Sequence, residues 1–247
     1  MFRTERIFDL EERVPRADPF ETVEHCRNYD RDIRTSMIIP MQHMMKLIMP
    51  HCTHTTEAVE IGCSGGLLSL RLASLYPAAT FLGLENNDQF LAVAQENTIY
   101  ANLLNYGGRF SSEWARYSRL PLADNSVDLV YSFCSINRWS RPEKAIAEAA
   151  RVCRPDGTVI LYDLARDADE GMISFVLQYA GGNHEEFMGA LRSSFNVDEM
   201  ATILTNCGLN DWVVTREGIN LITTSKPIDV SYSVGETGIY EDIFAPV

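Results

Sequence analysis

Acidic residues and glycines meet at two points of this chain in a way that could hold a charged ligand. The first is Glu60-Ile61-Gly62-Cys63-Ser64-Gly65-Gly66, which grows out of the short apolar run 57–61. Glycines after a buried strand let backbone approach a ligand that a Cβ would push away. The helix that follows offers free N–H groups and a positive dipole end. A dinucleotide pattern, G-x-G-x-x-G, begun at Gly62 would need glycine at 64 and 67, where Ser64 and Leu67 stand. The phosphate-loop pattern fails too, because no Gly-Lys-Ser/Thr follows. What remains is acidic-x-Gly-x-small-x-Gly. A carboxylate at Glu60 would repel a pyrophosphate and attract an ammonium. The second point is Glu85-Asn86, closing the apolar run 80–84. A carboxylate there can accept both hydroxyls of a ribose. Glu60 and Glu85 together describe a nucleoside with a cationic amino-acid arm.

The elements that must position these residues alternate. Strands are expected at 57–61, 80–84, 108–112, 127–133 and 158–162, and helices at 67–75, 88–103 and 141–153. Ala123-Asp124-Asn125-Ser126 introduces the fourth strand, and Pro155-Asp156-Gly157 reads as a turn before the fifth. Such alternation means parallel βαβ units with helices on both faces. Beyond Asp163 the pattern changes. A helical insertion over 171–192 is interrupted at Gly181-Gly182, and a helix over 197–207 stops at Gly208. Strands 212–216 and 220–224, joined by Glu217-Gly218, form a hairpin. Upstream, residues 1–35 read as an irregular lead-in and a helix. The Met-rich stretch 37–49 reads as helical after Pro40 and ended by Pro50, either packed on the sheet or lining an adaptable pocket.

The segment Val59–Gly66 resembles motif I of class I S-adenosylmethionine-dependent methyltransferases. Leu120-Pro121-Leu122-Ala123-Asp124-Asn125-Ser126-Val127-Asp128 is similar to the family's approach to strand four. Ser135-Ile136-Asn137-Arg138-Trp139 and Arg151-Val152-Cys153-Arg154-Pro155-Asp156-Gly157-Thr158 resemble its small-molecule branch. The resemblance covers residues 55–165, and the terminal hairpin agrees with it. It implies an α/β fold, a doubly wound, mostly parallel Rossmann-like sheet with a C-terminal antiparallel hairpin and helices on both faces. One domain spans 1–247: a helical lid over 1–54, a cofactor core over 55–165, an insertion and hairpin over 166–226, and an unassigned tail over 227–247.

The resemblance also implies roles. Glu60, Gly62, Cys63, Ser64 and Gly66 would border the methionine arm of S-adenosylmethionine. Glu85 and Asn86 would hold the ribose and flank the adenine. Glu113, in the loop after strand three, would receive the adenine amino group, with Trp114 beside the ring. Ser132 and Phe133 would face the sulfonium, and Tyr29 would be a lid contact that also reads as core or solvent. Ser64 departs from the family, which usually has glycine there. Methyl transfer is an in-line displacement, so alignment and exclusion of water are the protein's main tasks. His43, His184 and Asp163 are candidates for a base by placement, and each also reads as structural.

Composition limits the partners. The net charge is −13, which disfavours a nucleic-acid backbone and an anionic membrane surface. Arg27, Arg31 and Arg34 alternate with Asp30 and Asp32, the pattern of a solvated, mixed-charge helix face. The charged start at 1–12 does not read as a secretory signal, and a cytoplasmic protein is expected. Six dispersed cysteines and His51-x-x-His54 suggest neither disulfides nor a metal. The expected partner is a small-molecule acceptor, with a homodimer as one assembly the sequence allows. Other readings stay open: a protein that binds S-adenosylmethionine without transferring its methyl, an assembly subunit, and a nicotinamide-dependent reductase.

Overall fold

The computed structural model describes residues 7–16, 18–179 and 183–231. Among them, one sheet is built from β1 (Glu57–Ile61), β2 (Thr80–Glu85), β3 (Arg109–Trp114), β4 (Val127–Phe133), β5 (Cys153–Leu164), β6 (Val213–Glu217) and β7 (Asn220–Thr224). The order is β3-β2-β1-β4-β5-β7-β6. β1 to β5 run parallel, and β7 and β6 complete the sheet antiparallel. The chain winds outward from β1 to β3, then returns to β4 on the other side of β1. The crevice beyond the β1 and β4 carboxyl ends is therefore the switch point where ligands bind in open α/β sheets.

The helices are α1 (Val23–Ser36), α2 (Ile38–Ile48), α3 (Leu67–Leu75), α4 (Asp88–Leu103), α5 (Pro142–Val152), α6 (Glu170–Tyr179), α7 (His184–Ser193) and α8 (Val197–Asn206). Strand alternation assigns side chains to the two faces. Ala58, Phe81, Leu129, Tyr131, Ile160 and Tyr162 pack with Met41, Met44, Met45 and Ile48 of α2 and Leu68 and Leu72 of α3. Val59, Ile61, Leu84, Val130, Val159 and Leu161 pack on the opposite face with Ala145, Ile146 and Ala149 of α5 and Met200 and Leu204 of α8. The doubly wound sheet and its antiparallel hairpin agree with the sequence expectation.

Several boundaries differ from it. The Pro155-Asp156-Gly157 turn lies inside β5, because the partner of Val127 is Cys153 while that of Leu129 is already Thr158. The turn residues form an outward bulge within the ladder. β3 runs to Trp114, since its parallel pairing with β2 extends to Glu85. Glu113 and Trp114 thus end a strand, where a loop was expected. α2 begins before Pro40, which sits in its first turn where a missing N–H is free of cost. Gly181-Gly182 lies outside the described residues, with α6 and α7 on either side. Of the unassigned tail, residues 227–231 are described, and Ile228 and Val230 pack against the α2 face.

The lead-in straps across one end of the sheet. Buried Arg166 donates to Leu10 O, Glu11 O and Ser194 O and pairs with Glu199 at the start of α8. Arg13 donates to Ser193 O and lies 4.0 Å over the Phe195 ring. Leu129 is fully buried between β1 and β5 in the α2–α3 face. Leu129→Ala should cost about 2–5 kcal/mol, read as a lower urea midpoint with an unchanged denaturant slope.

Candidate active site

The loop after β1 owes its path to contacts on both sides. Gly62 has φ +78°, and a Cβ there would stand 1.9 Å from Ser135 Oγ in the turn after β4. Ser135 is held in turn by Trp139 Nε1, which donates to its hydroxyl at 2.9 Å. Ser64 has φ +48°, a left-handed conformation that costs a non-glycine residue on the order of 1 kcal/mol. That strain is the physical content of the departure noted in the sequence. Gly66 then opens α3 as its N-cap.

Glu85, at the end of β2, is buried and clamps this loop. Its Oε2 accepts from Ser64 N at 2.8 Å; its Oε1 accepts from Asn86 N at 2.9 Å, Asn87 N at 3.0 Å and Tyr117 Oη at 2.9 Å. Burial pushes its carboxyl up, and the donors from Ser64, Asn87 and Tyr117 oppose that. With Oε1 occupied, Oε2 is the atom with acceptor capacity left for an incoming hydroxyl. Tyr117 has no counterpart in the sequence reading. It lies in an irregular loop, where no spacing rule marks an inward-facing aromatic.

Glu60 is buried at the end of β1 and accepts from Ser69 Oγ, which also bonds Tyr131 Oη at 2.6 Å. Burial drives its carboxyl up to about 8, with the nearby Glu85 adding to the rise. Asp30 of α1 completes an acidic surround. The sequence reads it as part of a solvated face, but it is 4% exposed. Its Oδ2 pairs with Arg34 at 2.7 Å, while its Oδ1 is buried without a partner against Gly65. α1 packs on α4, and that docking turns one face of a charged helix inward.

A cavity of about 30 Å³ is walled by Glu60, Gly62, Cys63, Ser64, Leu67 and Leu68 on the sheet side. Tyr29, Ile33, Met37 and Met41 cover it from the lead-in, and Phe133, Cys134 and Arg138 close the third side. That is room for a water or two; a nucleoside would require a wall to move outward, and the lead-in is one such wall. Its attachments suit such motion. Asn87 Nδ2 donates to Asp18 Oδ2 and Phe20 O, and Arg27 pairs with Glu96 on the exposed surface, where ion pairs contribute little.

The remaining sequence candidates separate. Asn86 is joined by Trp114, whose Nε1 donates to Asn86 O at 3.2 Å. Glu113 is exposed on the edge strand. Phe133 lines the cavity, whereas the Ser132 hydroxyl is buried without a partner and Ser132 does not line it. His43 lies between Tyr162 Oη at 3.2 Å and Val230 O at 2.8 Å, tying α2 to β5 and to the 227–231 segment; burial lowers its basicity. Asp163 accepts from Asn137 N and Nδ2, both at 2.9 Å, and so fixes the turn after β4. His184 is exposed at the start of α7. None of these three borders the cavity.

Residues 59–161, the stretch that contains all of β1 to β4 except the first two residues of β1, match the model of the methyltransferase domain. Over those residues the chain carries a methyltransferase domain, and it resembles the class I S-adenosylmethionine-dependent methyltransferases. It is 25% identical over 173 residues to an uncharacterized chloroplastic methyltransferase of Arabidopsis thaliana, covering 68% of this chain and 47% of that protein. It is 24% identical to a malonyl-[acyl-carrier protein] O-methyltransferase of Geobacter sulfurreducens, covering 63% of this chain and 51% of that one. The chain thus spans about half the length of these curated relatives. Among solved structures, a putative S-adenosylmethionine-dependent methyltransferase of Methanococcus maripaludis superposes with a TM-score of 0.66 at 17% identity. That match covers 90% of this chain and 99% of the other, and it shows the shared fold.

The family's cofactor is S-adenosylmethionine. The donor set fits it: three buried carboxylates, one with an unpartnered oxygen, surround a loop that admits backbone approach, and these suit an ammonium and a ribose. Two outcomes follow. Ser64→Gly should leave cofactor affinity within a few-fold and stabilise the fold by up to about 1 kcal/mol, while Gly62→Ala should abolish S-adenosylhomocysteine binding, both read by thermal shift and calorimetry. Burial drives the Glu60 carboxyl up to about 8, so a role as partner of a cation would require it to lose its proton near neutral pH. Affinity for S-adenosylhomocysteine should therefore rise from pH 6 to pH 8, by roughly ten-fold per unit, and Glu60→Gln should flatten the profile.

Proposed function

We propose that the chain transfers a methyl group from S-adenosylmethionine to a small-molecule acceptor held beyond the ends of β4 and β5. The single observation that supports it best is the acid-lined glycine loop opening on a cavity with apolar walls. An enclosed wall of Met37, Met41, Leu67, Leu68 and Phe133 suits a compact acceptor better than a polymer. The net charge of −13 points the same way.

In this reading Glu60, with Asp30, receives the ammonium of the cofactor. Glu85 Oε2 accepts a ribose hydroxyl, and Asn86 and Trp114 flank the adenine. Gly62, Cys63, Ser64 and Gly66 border the methionine arm, and Phe133 faces the methyl-donor end. Tyr29 closes the cleft from the lead-in. The cofactor supplies an already activated methyl on a sulfonium. The chain's own contribution is alignment and exclusion of water, which can lower a barrier by several kcal/mol. No general base is assigned, since His43 and Asp163 are committed to structural partners.

Glu85→Ala should weaken S-adenosylhomocysteine binding by at least ten-fold and remove all four of the clamp's hydrogen bonds at once. Calorimetry with S-adenosylhomocysteine and with NADPH checks the cofactor: binding of NADPH alone overturns the reading. A methylation assay on a panel of small acceptors and on nucleic acid checks the transfer. Methylation of nucleic acid with none on small molecules would sink the proposal.

A further inference from the structure

One cation faces the cavity, and its surroundings leave it without a counter-ion. Arg138 lies in the turn after β4 and lines the cavity with Phe133 and Cys134. Its guanidinium sits 5.2 Å from the centre of the Phe20 ring and 5.6 Å from that of Tyr29, both on the lead-in. Its one hydrogen bond to backbone is a long contact with Cys134 O, 3.4 Å. The Tyr29 hydroxyl bonds and polarises it, and Asp18, Glu85, Glu186 and Asp163 act on it from a distance. Among the described residues, none of them stands within ion-pair distance of it.

Each of those carboxylates is committed elsewhere. Asp18 accepts from Asn87 Nδ2 and Phe20 N. Glu186 holds Arg16 through both oxygens, at 2.9 and 2.8 Å. Glu85 has its four donors, and Asp163 has Asn137 and Leu164 N. Asp163 and Asn137 moreover hold rigid the turn that presents Arg138. A partly buried guanidinium that is positioned, flanked by rings and unpaired is a receptor for a planar anion.

Its place in the sheet tells which anion. The glycine loop follows β1, Glu85 ends β2 and Trp114 ends β3, so the cofactor side of the crevice is the β1–β3 side. Arg138 follows β4, on the side left to the acceptor. A cation at that end calls for a carboxylate, either the one on the cofactor's methionine arm or one that enters with the acceptor; Glu60 and Asp30 draw the amino-acid arm to the β1 side, which leaves the second. We propose that Arg138 is the acceptor-recognition residue of this cleft and that the acceptor carries a carboxylate. This rests on the methyltransferase reading, and it narrows the substrate class from small molecules to small anionic ones.

The test uses the full chain loaded with S-adenosylhomocysteine, whose own titration is read first. If that ligand fails to bind the wild type, the methyltransferase reading falls before Arg138 is examined. Benzoate and malonate are then compared with benzamide and malonamide by ligand-observed NMR. We expect at least a ten-fold preference for the carboxylates, its loss in Arg138→Met, its partial return in Arg138→Lys, and S-adenosylhomocysteine affinity within three-fold throughout. Thermal melts confirm folding, and the wild-type preference stands as a test even if the methionine variant does not fold. The absence of a carboxylate preference, or its survival in Arg138→Met, overturns the proposal. A ten-fold loss of S-adenosylhomocysteine affinity in Arg138→Met also overturns it, because Arg138 would then hold the cofactor's carboxylate.

Discussion

A buried carboxylate with four hydrogen-bond donors ties three loops of this molecule into one rim. Glu85 gathers the loop after β1 through Ser64, the entry to α4 through Asn86 and Asn87, and the loop after β3 through Tyr117. Burying a charged or polar group costs several kcal/mol unless donors replace the lost water. Here the donors come from segments distant in sequence, so the cost is offset only when all three loops are in place. The position of the glycine loop, the start of α4 and the inward turn of Tyr117 are therefore mutually dependent.

The other charges of the cleft follow from that rim. Glu60 lies one strand away; burial raises its carboxyl, the Ser69 hydroxyl opposes that, and Glu85 adds to the rise. The lead-in adds Asp30 against Gly65 and brings Phe20 and Tyr29 over Arg138. The cleft has acid on the side of β1 and β2 and a guanidinium on the side of β4. Such a division can orient a ligand with separated charges before any close contact forms. The α1 part of the lead-in is held by exposed ion pairs, by Asn87 and Asn97, and by a small apolar cluster of Phe20, Cys26, Phe90 and Val93, while Arg166 and Arg13 anchor residues 10–13.

Much of the fold was legible in the chain. The alternation of 57–61, 67–75, 80–84 and 88–103 corresponds closely to β1, α3, β2 and α4, because each element is long enough to show its own side-chain period. The hairpin of β6 and β7 was legible from Glu217-Gly218. Less legible were the ends of elements decided by a neighbour. β3 reaches Trp114 because β2 pairs with it that far, and Pro155-Asp156-Gly157 bulges within β5 because β4 continues the ladder around it. His43, Ser132 and Asp163 looked like site residues by sequence position, yet each faces a structural partner or the core in place of the cavity.

By itself the sequence determined the doubly wound order, the glycine loop, and the placing of Glu60 and Glu85 at strand ends. These depend on backbone conformation and side-chain period over a few residues. The tertiary structure alone decided which charges are left unpaired. Asp30 looked solvated among its alternating neighbours, and docking of α1 on α4 buried one of its oxygens without a donor. Arg138 sat unremarked within a family-like run, and it faces the cavity only because Asp163 pins its turn while Asn87, Arg16 and the Glu85 donors take every nearby acid. Asp30 finds Arg34 one turn away, but Arg16–Glu186 and Asn87–Asp18 join residues tens to more than a hundred positions apart, and no local pattern encodes those.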